Sequence, residues 1–281
     1  MPAYLAWWPF EPAVIIGVEL AAVMYVIGGV GRRTSRWRVI CFWAGLVTIL
    51  LALQSPIEML ARQLFWIHMV QHLLLTVVAA PLLAYASPWT RMWHALPRSW
   101  RRAIAKPLFR KPALQPVRTA YRAVANPAVV WFAGAANLWL WHVPALYDLT
   151  LRNHLVHHLE HTLFFGLGLA FWAYVIDQYP FRSPLSSLAR ATYLFLAMIQ
   201  SWGLAAVLSF ATGPYYAYSL LPSRPGGITA LTDQQLGGGM MWVPGAITYS
   251  IVFVVMLFGW LADEDSEPAL TVIEGGRIVG G

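Results

Sequence analysis

The chain has 281 residues, of which 59% are hydrophobic and 11% charged, and its formal net charge is +7. A soluble domain carries roughly 25% charged residues, so this composition excludes a water-facing globular surface and makes lipid the solvent of the exterior. Nucleic-acid binding is excluded as the meaning of the positive charge, because the basic residues lie in short segments between apolar runs, where they set membrane topology.

Apolar stretches long enough to cross a hydrocarbon core of about 30 Å occur near residues 12–30, 38–54, 63–86, 128–145, 155–176, 191–211 and 240–262. They predict an all-α integral membrane bundle of seven transmembrane helices. No Lys or Arg precedes Arg32, so the start lacks the charged region of a cleaved signal peptide and the first stretch is expected to stay as a span. Cys41 is the single cysteine, which rules out a disulfide within the chain and a paired-thiol metal site.

Orientation follows from the connections. Arg32, Arg33, Arg36 and Arg38 follow the first stretch. The third connection, 87–127, carries nine basic residues from Arg91 to Arg122; the fifth holds Arg182 and Arg190, and the tail Arg277. These alternate segments hold 16 of the 19 basic residues, against Arg62, Arg152 and Arg224 on the opposite side. That asymmetry predicts an outside N-terminus and a cytoplasmic C-terminus. The 87–127 connection mixes Trp93, Trp100, Leu108 and Phe109 with its charges, and is expected to lie on anionic lipid of the inner leaflet. Residues 1–262 form one membrane domain in this reading; 263–281, acidic and then Gly-rich, form a tail expected to be disordered.

Seven of the eight histidines fall at the outer ends of predicted spans. His68 and His72 lie at the start of the third, His142 at the end of the fourth, and His154, His157, His158 and His161 at the start of the fifth. His94 lies in the basic connection and is expected to be interfacial. Residues four apart on a helix lie one above the other, so His68/His72 and His157/His161 form two stacked pairs. Imidazole is the commonest protein metal ligand. The bland reading of an intramembrane His is a hydrogen bond between helices, but ionisable groups in lipid are costly, and two stacked pairs with His142 at one depth favour a metal site. His68, His72, His142, His157 and His161 are the preferred ligands, with His154 and His158 weaker. Glu160 is a candidate acceptor fixing a tautomer. Met69, Met240 and Met241 offer thioethers, and Glu19 is expected buried in the first span, pairing with a His or carrying protons.

Imidazole with thioether favours copper, with zinc as an alternative. Bis-His haem ranks lower, because each stacked pair supplies a nitrogen that haem does not need. A retinal Schiff base is excluded, since Lys106 and Lys111 are the only lysines and both lie in the basic connection. The segment Asp233–Gly245, DQQLGGGMMWVPG, reads either as a polar turn with close packing at a helix start, or as a lid or docking surface over the histidines.

HMVQHLLLTVVAAPLL (68–83), WHVPALYD (141–148), HHLEHTLFF (157–165) with Phe171-Trp172, and DQQLGGGMMWVPG (233–245) resemble, in this order, the polytopic CtaG-type cytochrome c oxidase assembly factors of bacteria. The resemblance implies a non-enzymatic protein of the bacterial cytoplasmic membrane that helps form an active haem–copper oxidase and delivers copper to an oxidase subunit. It places the family's His pattern on His68, His72, His142, His157 and His161, with Glu160 beside them. A haem-binding electron-transfer protein and a membrane zinc-dependent hydrolase are the rival readings; the latter would draw its acid–base group from Glu160, Glu19 or Asp233.

Overall fold

The computed structural model describes residues 9–221, 224–265, 273–274 and 277–278. The helices are α1 (Pro12–Gly28), α2 (Arg36–Leu53), α3 (Pro56–Ala61), α4 (Phe65–Leu73), α5 (Ala80–Ala86), α6 (Trp89–Ala95), α7 (Arg98–Arg110), α8 (Gln115–Val124), α9 (Pro127–Trp141), α10 (Pro144–Arg152), α11 (His154–Ile176), α12 (Ser187–Ser209) and α13 (Ala230–Asp265). The fold is all-helical but for Ile273–Glu274 pairing antiparallel with Arg277–Ile278; most of the tail predicted to be disordered lies outside the described residues.

Helix starts are written locally. Pro12, Pro56, Pro127 and Pro144 each stand at a first helical position, where the missing N–H costs nothing. The Ser55, Asn126, Asn153 and Ser186 side chains cap α3, α9, α11 and α12. A π-helical turn, Leu74–Ala79, joins α4 to α5, so that 65–86 runs as one rod. In that turn the Ala80 N–H bonds to Leu75 O, which leaves Thr76 O free to accept from Trp172 Nε1 at 2.7 Å. The widened turn thereby ties this rod to α11.

Five helical segments are long and apolar enough to cross a membrane: 36–53, 65–86, 154–176, 187–209 and 230–261. They become six if Pro112–Val124 and Pro127–Trp141, bent by 64°, count as one broken span; α1 is apolar but has 17 residues. With exposed Leu20, Trp43, Phe132, Val255 and Phe258 on their outward faces, these helices make the chain a multi-pass membrane protein.

The first site-bearing difference from expectation is at α13, which begins at Ala230. Asp233–Gly239 are therefore inside the helix and not in a turn before it. A Cβ at Gly237 would clash with the Phe65 ring, and one at Gly238 with Ser209 and Ala205. The glycines let α13 lie against α4 and α12. At the histidine end, the chain between α12 and α13 folds over the bundle and buries Tyr216 and Tyr218 beside Phe65, Met69 and Tyr147.

Candidate metal centre

α4 and α11 start at the same end of the bundle and face each other there. Within each helix the i,i+4 rings stack, His68 on His72 at 4.5 Å between centroids and His157 on His161 at 4.1 Å. Between helices, His68 lies 5.3 Å from His157 and 5.8 Å from His161, and His72 lies 5.3 Å from His161. All four are buried, as is Glu160, and the last has no exposed surface at all (0%). The ligating atoms of His68, His157, Glu160 and His161 lie within 4.8 Å of one another.

Glu160 does not stand outside the cluster as an acceptor behind a ligand. Its Oε2 is 3.5 Å from His68 Nε2 and its Oε1 3.4 Å from His72 Nε2. A hydrogen bond would bring such atoms to about 2.7–3.2 Å. Ligands of one ion with bonds near 2.0–2.1 Å stand about 3.3 Å apart along a tetrahedron edge. The Nε2 atoms of His68, His72 and His161 and both Glu160 oxygens have no hydrogen-bond partner among the described residues. Buried polar atoms are ordinarily satisfied; a cation held among His68, His157, Glu160 and His161 would satisfy several of them at once. The donor set, neutral nitrogen with one carboxylate, fits a divalent or cuprous transition-metal ion.

The backs of the ligands are organised. His68 Nδ1 is 2.9 Å from the Tyr147 hydroxyl, which is 3.2 Å from the Tyr218 hydroxyl, which donates to Ala61 O at 2.6 Å. Burial holds the Tyr147 and Tyr218 phenols well above the usual tyrosine range, so both stay protonated. The chain ends on a carbonyl, which can only accept. Tyr218 therefore donates to Ala61 O and can accept from Tyr147, which can in turn accept from His68 Nδ1–H; in that tautomer the His68 Nε2 lone pair faces Glu160. His157 Nδ1 lies 3.7 Å from Glu58 Oε1. Glu58 is held by Gln71 Nε2 at 2.5 Å and Arg62 Nη2 at 3.1 Å.

The remaining predicted site residues separate. His142 donates from Nδ1 to Leu138 O at 2.7 Å and turns Nε2 to Met69 Sδ at 3.4 Å. With His72 and Met241 they border a cavity of about 120 Å³ behind the four-imidazole cluster. Met240 is half-buried and packs against the aromatic core. Asp233 accepts from the Phe65 and Trp66 N–H groups at 2.9 and 3.0 Å, capping α4. Gln234 accepts from Tyr215 N–H at 2.7 Å. The DQQ element thus anchors α4 and the segment that covers the histidine end. Glu19 is exposed on α1, with no hydrogen bond or ion pair among the described residues, and the expectation that it is buried beside a His fails. Neighbouring α1 positions face the bundle, and Glu19 falls on the opposite side of the helix. His94 bonds to Thr90 O on α6, away from the cluster. His154 and His158 lie at the rim with Glu11.

Sequence reasoning missed Glu58, Tyr147 and Tyr218. Glu58 carried a signal, as the only carboxylate between Glu19 and Asp148. Tyr147 sits in the WHVPALYD motif; Tyr218 had no sequence signal.

No solved structure matches the chain. It is 23% identical over 274 residues to an uncharacterized protein of Mycobacterium bovis and 25% identical over 274 residues to one of Mycobacterium leprae, covering 91% and 90% of this chain. The same alignments cover 40% and 39% of those proteins, so the chain spans about two fifths of the length of the curated relatives it matches. Residues 20–263 match the family described as cytochrome c oxidase caa3 assembly factor (Caa3_CtaG), and with the match extending over nearly all the helices, the site included, the chain belongs to that family.

Proposed function

We propose that this assembly factor spans the membrane seven times, with α1 and the broken α8–α9 segment completing the set and the histidine end facing outward. It holds a copper ion among His68, His72, His157, His161 and Glu160, and passes it to a haem–copper oxidase subunit. The observation that carries this reading is the set of buried, unpartnered Nε2 atoms around Glu160 at 3.4–3.5 Å. Few carboxylates and several neutral imidazoles suit a cargo that must leave again. The thioethers of Met69 and Met241, soft ligands beside His72, favour copper over zinc. Four rings packed at 4.1–5.8 Å leave no flat slot for a porphyrin, which counts against haem. The basic, exposed α7 and α8 are suited to rest on anionic lipid.

The test is copper content of untagged protein in lipid nanodiscs after equilibration with cuprous ion, for wild type and for His157→Ala/His161→Ala. Loss of one ion per chain in the variant is expected. Equal content in the two overturns the site.

A further inference from the structure

The geometry points to a second cation site at the rim of the histidine end, formed by Glu11, His154 and His158, which takes up the ion and hands it inward past Arg62 to the buried cluster. The inference rests on the copper reading above.

Glu11 Oε1 is 3.3 Å from His154 Nε2, and Glu11 Oε2 is 3.3 Å from His158 Nε2. Both separations match the roughly 3.3 Å edge of a ligand tetrahedron with bonds of 2.0–2.1 Å. The three ligands are held in advance. Glu11 N–H donates to Gln54 Oε1 at 3.2 Å and Glu11 O accepts from Gln54 Nε2 at 3.0 Å, which fixes this backbone to the end of α2. His154 and His158 are one turn apart at the start of α11, their rings 4.4 Å from centroid to centroid, and Asn153 caps that start.

The tautomer also fits. Arg62 Nη2 lies 2.7 Å from His154 Nε2. A guanidinium can only donate, so His154 Nε2 carries a lone pair. That lone pair and the Glu11 carboxylate then face each other, an arrangement that a cation between them would stabilise. Arg62 has an alternative partner already in reach, since its Nη2 is 3.1 Å and its Nε 3.3 Å from Glu58 Oε1. An arriving ion can therefore take the His154 lone pair while Arg62 withdraws fully to Glu58.

Beyond Arg62 the way is open. A cavity of about 140 Å³ is bordered by Arg62, Arg152, Thr150 and His154 and reaches His68 and His157 of the buried cluster. His154 of the rim and His68 and His157 of the core thus border one cavity, with the Arg62 guanidinium between His154 and Glu58. A metal ion leaving Glu11 passes from the imidazole of His154 to those of His157 and His68 along this cavity.

The experiment titrates untagged full-length protein in nanodiscs with cuprous ion alone, supplied from a colorimetric chelator, and follows both stoichiometry and filling rate. Wild type is expected to bind two ions. His154→Ala/His158→Ala should bind one, with slower filling of the remaining site. Glu11→Gln, which keeps the shape and removes the charge, should lower rim binding and slow filling about tenfold or more, the size of effect that a focusing charge at an approach path gives. His157→Ala/His161→Ala should keep the rim ion and lose the inner one. Wild-type stoichiometry and rate in His154→Ala/His158→Ala overturn the rim site. Loss of no ion in His157→Ala/His161→Ala overturns the buried site instead, and the two failures are read from different variants.

Discussion

Replacing Tyr147 with Phe removes one oxygen atom from the back of His68 and leaves the ring volume in place. His68 Nδ1–H then has only the Tyr218 hydroxyl, at 3.5 Å against the 2.9 Å it has now. A buried donor left without an acceptor costs about 1–3 kcal/mol. The ring can instead move its proton to Nε2, which gives up the ligand lone pair. Either way the bound state loses about 1–3 kcal/mol, and at about 1.4 kcal/mol per tenfold the cuprous affinity should fall about 10–100-fold, the range found when a ligating His loses its outer partner. The assay is competition for cuprous ion against a chelator of known affinity, on wild type, Tyr147→Phe and Tyr218→Phe in nanodiscs. Tyr218→Phe should lose less, because Tyr147 keeps its bond to His68. Wild-type affinity in a folded Tyr147→Phe protein would refute the tautomer chain, and with it the claim that His68 ligates through Nε2.

Other parts of the structure make separate predictions. Asp233→Ala strips the cap from α4 and should lower stability by about 0.5–2 kcal/mol, while Asp233→Asn keeps one acceptor oxygen but sets its NH2 against the other N–H and recovers only part of it; equal thermal midpoints for the Ala variant and wild type would contradict the capping role. Gly237→Ala drives a methyl into Phe65, whose ring stacks on Tyr216 at 4.8 Å, and should cost about 1–3 kcal/mol. Gly239→Ala meets nothing within 4 Å and should be neutral or stabilising by up to about 1 kcal/mol. A thermal midpoint for Gly237→Ala at or above that of Gly239→Ala would refute the packing argument. Single cysteines at Ile104 and Leu155, in a Cys41→Ala background, should react with an impermeant thiol reagent from opposite sides of sealed vesicles, Leu155 from the outside; labelling of both from one side defeats the proposed topology.

Much of this protein was legible without coordinates, because hydropathy and helical spacing are local properties. Every apolar stretch became a helix, and the stacking of His68 on His72 and His157 on His161 needed nothing beyond the pitch of an α-helix. The gathering of the histidines at one end also followed from the order of helix starts and stops. What only the tertiary structure decided was which of those groups meet, since that depends on the rotation of each helix and on partners distant in sequence. His142 shares the depth of the cluster, but its Nδ1 is drawn to Leu138 O and its Nε2 to Met69. Asp233 reads as a site carboxylate until it is seen to cap a helix 168 residues away. Glu160 moves from outside the cluster to its middle, and Glu19 to the outside of the bundle. Glu11, whose oxygens meet His154 and His158, joins a site only because α1 begins where α11 begins. Depth along the membrane axis was written in the sequence; direction around each helix was set by packing.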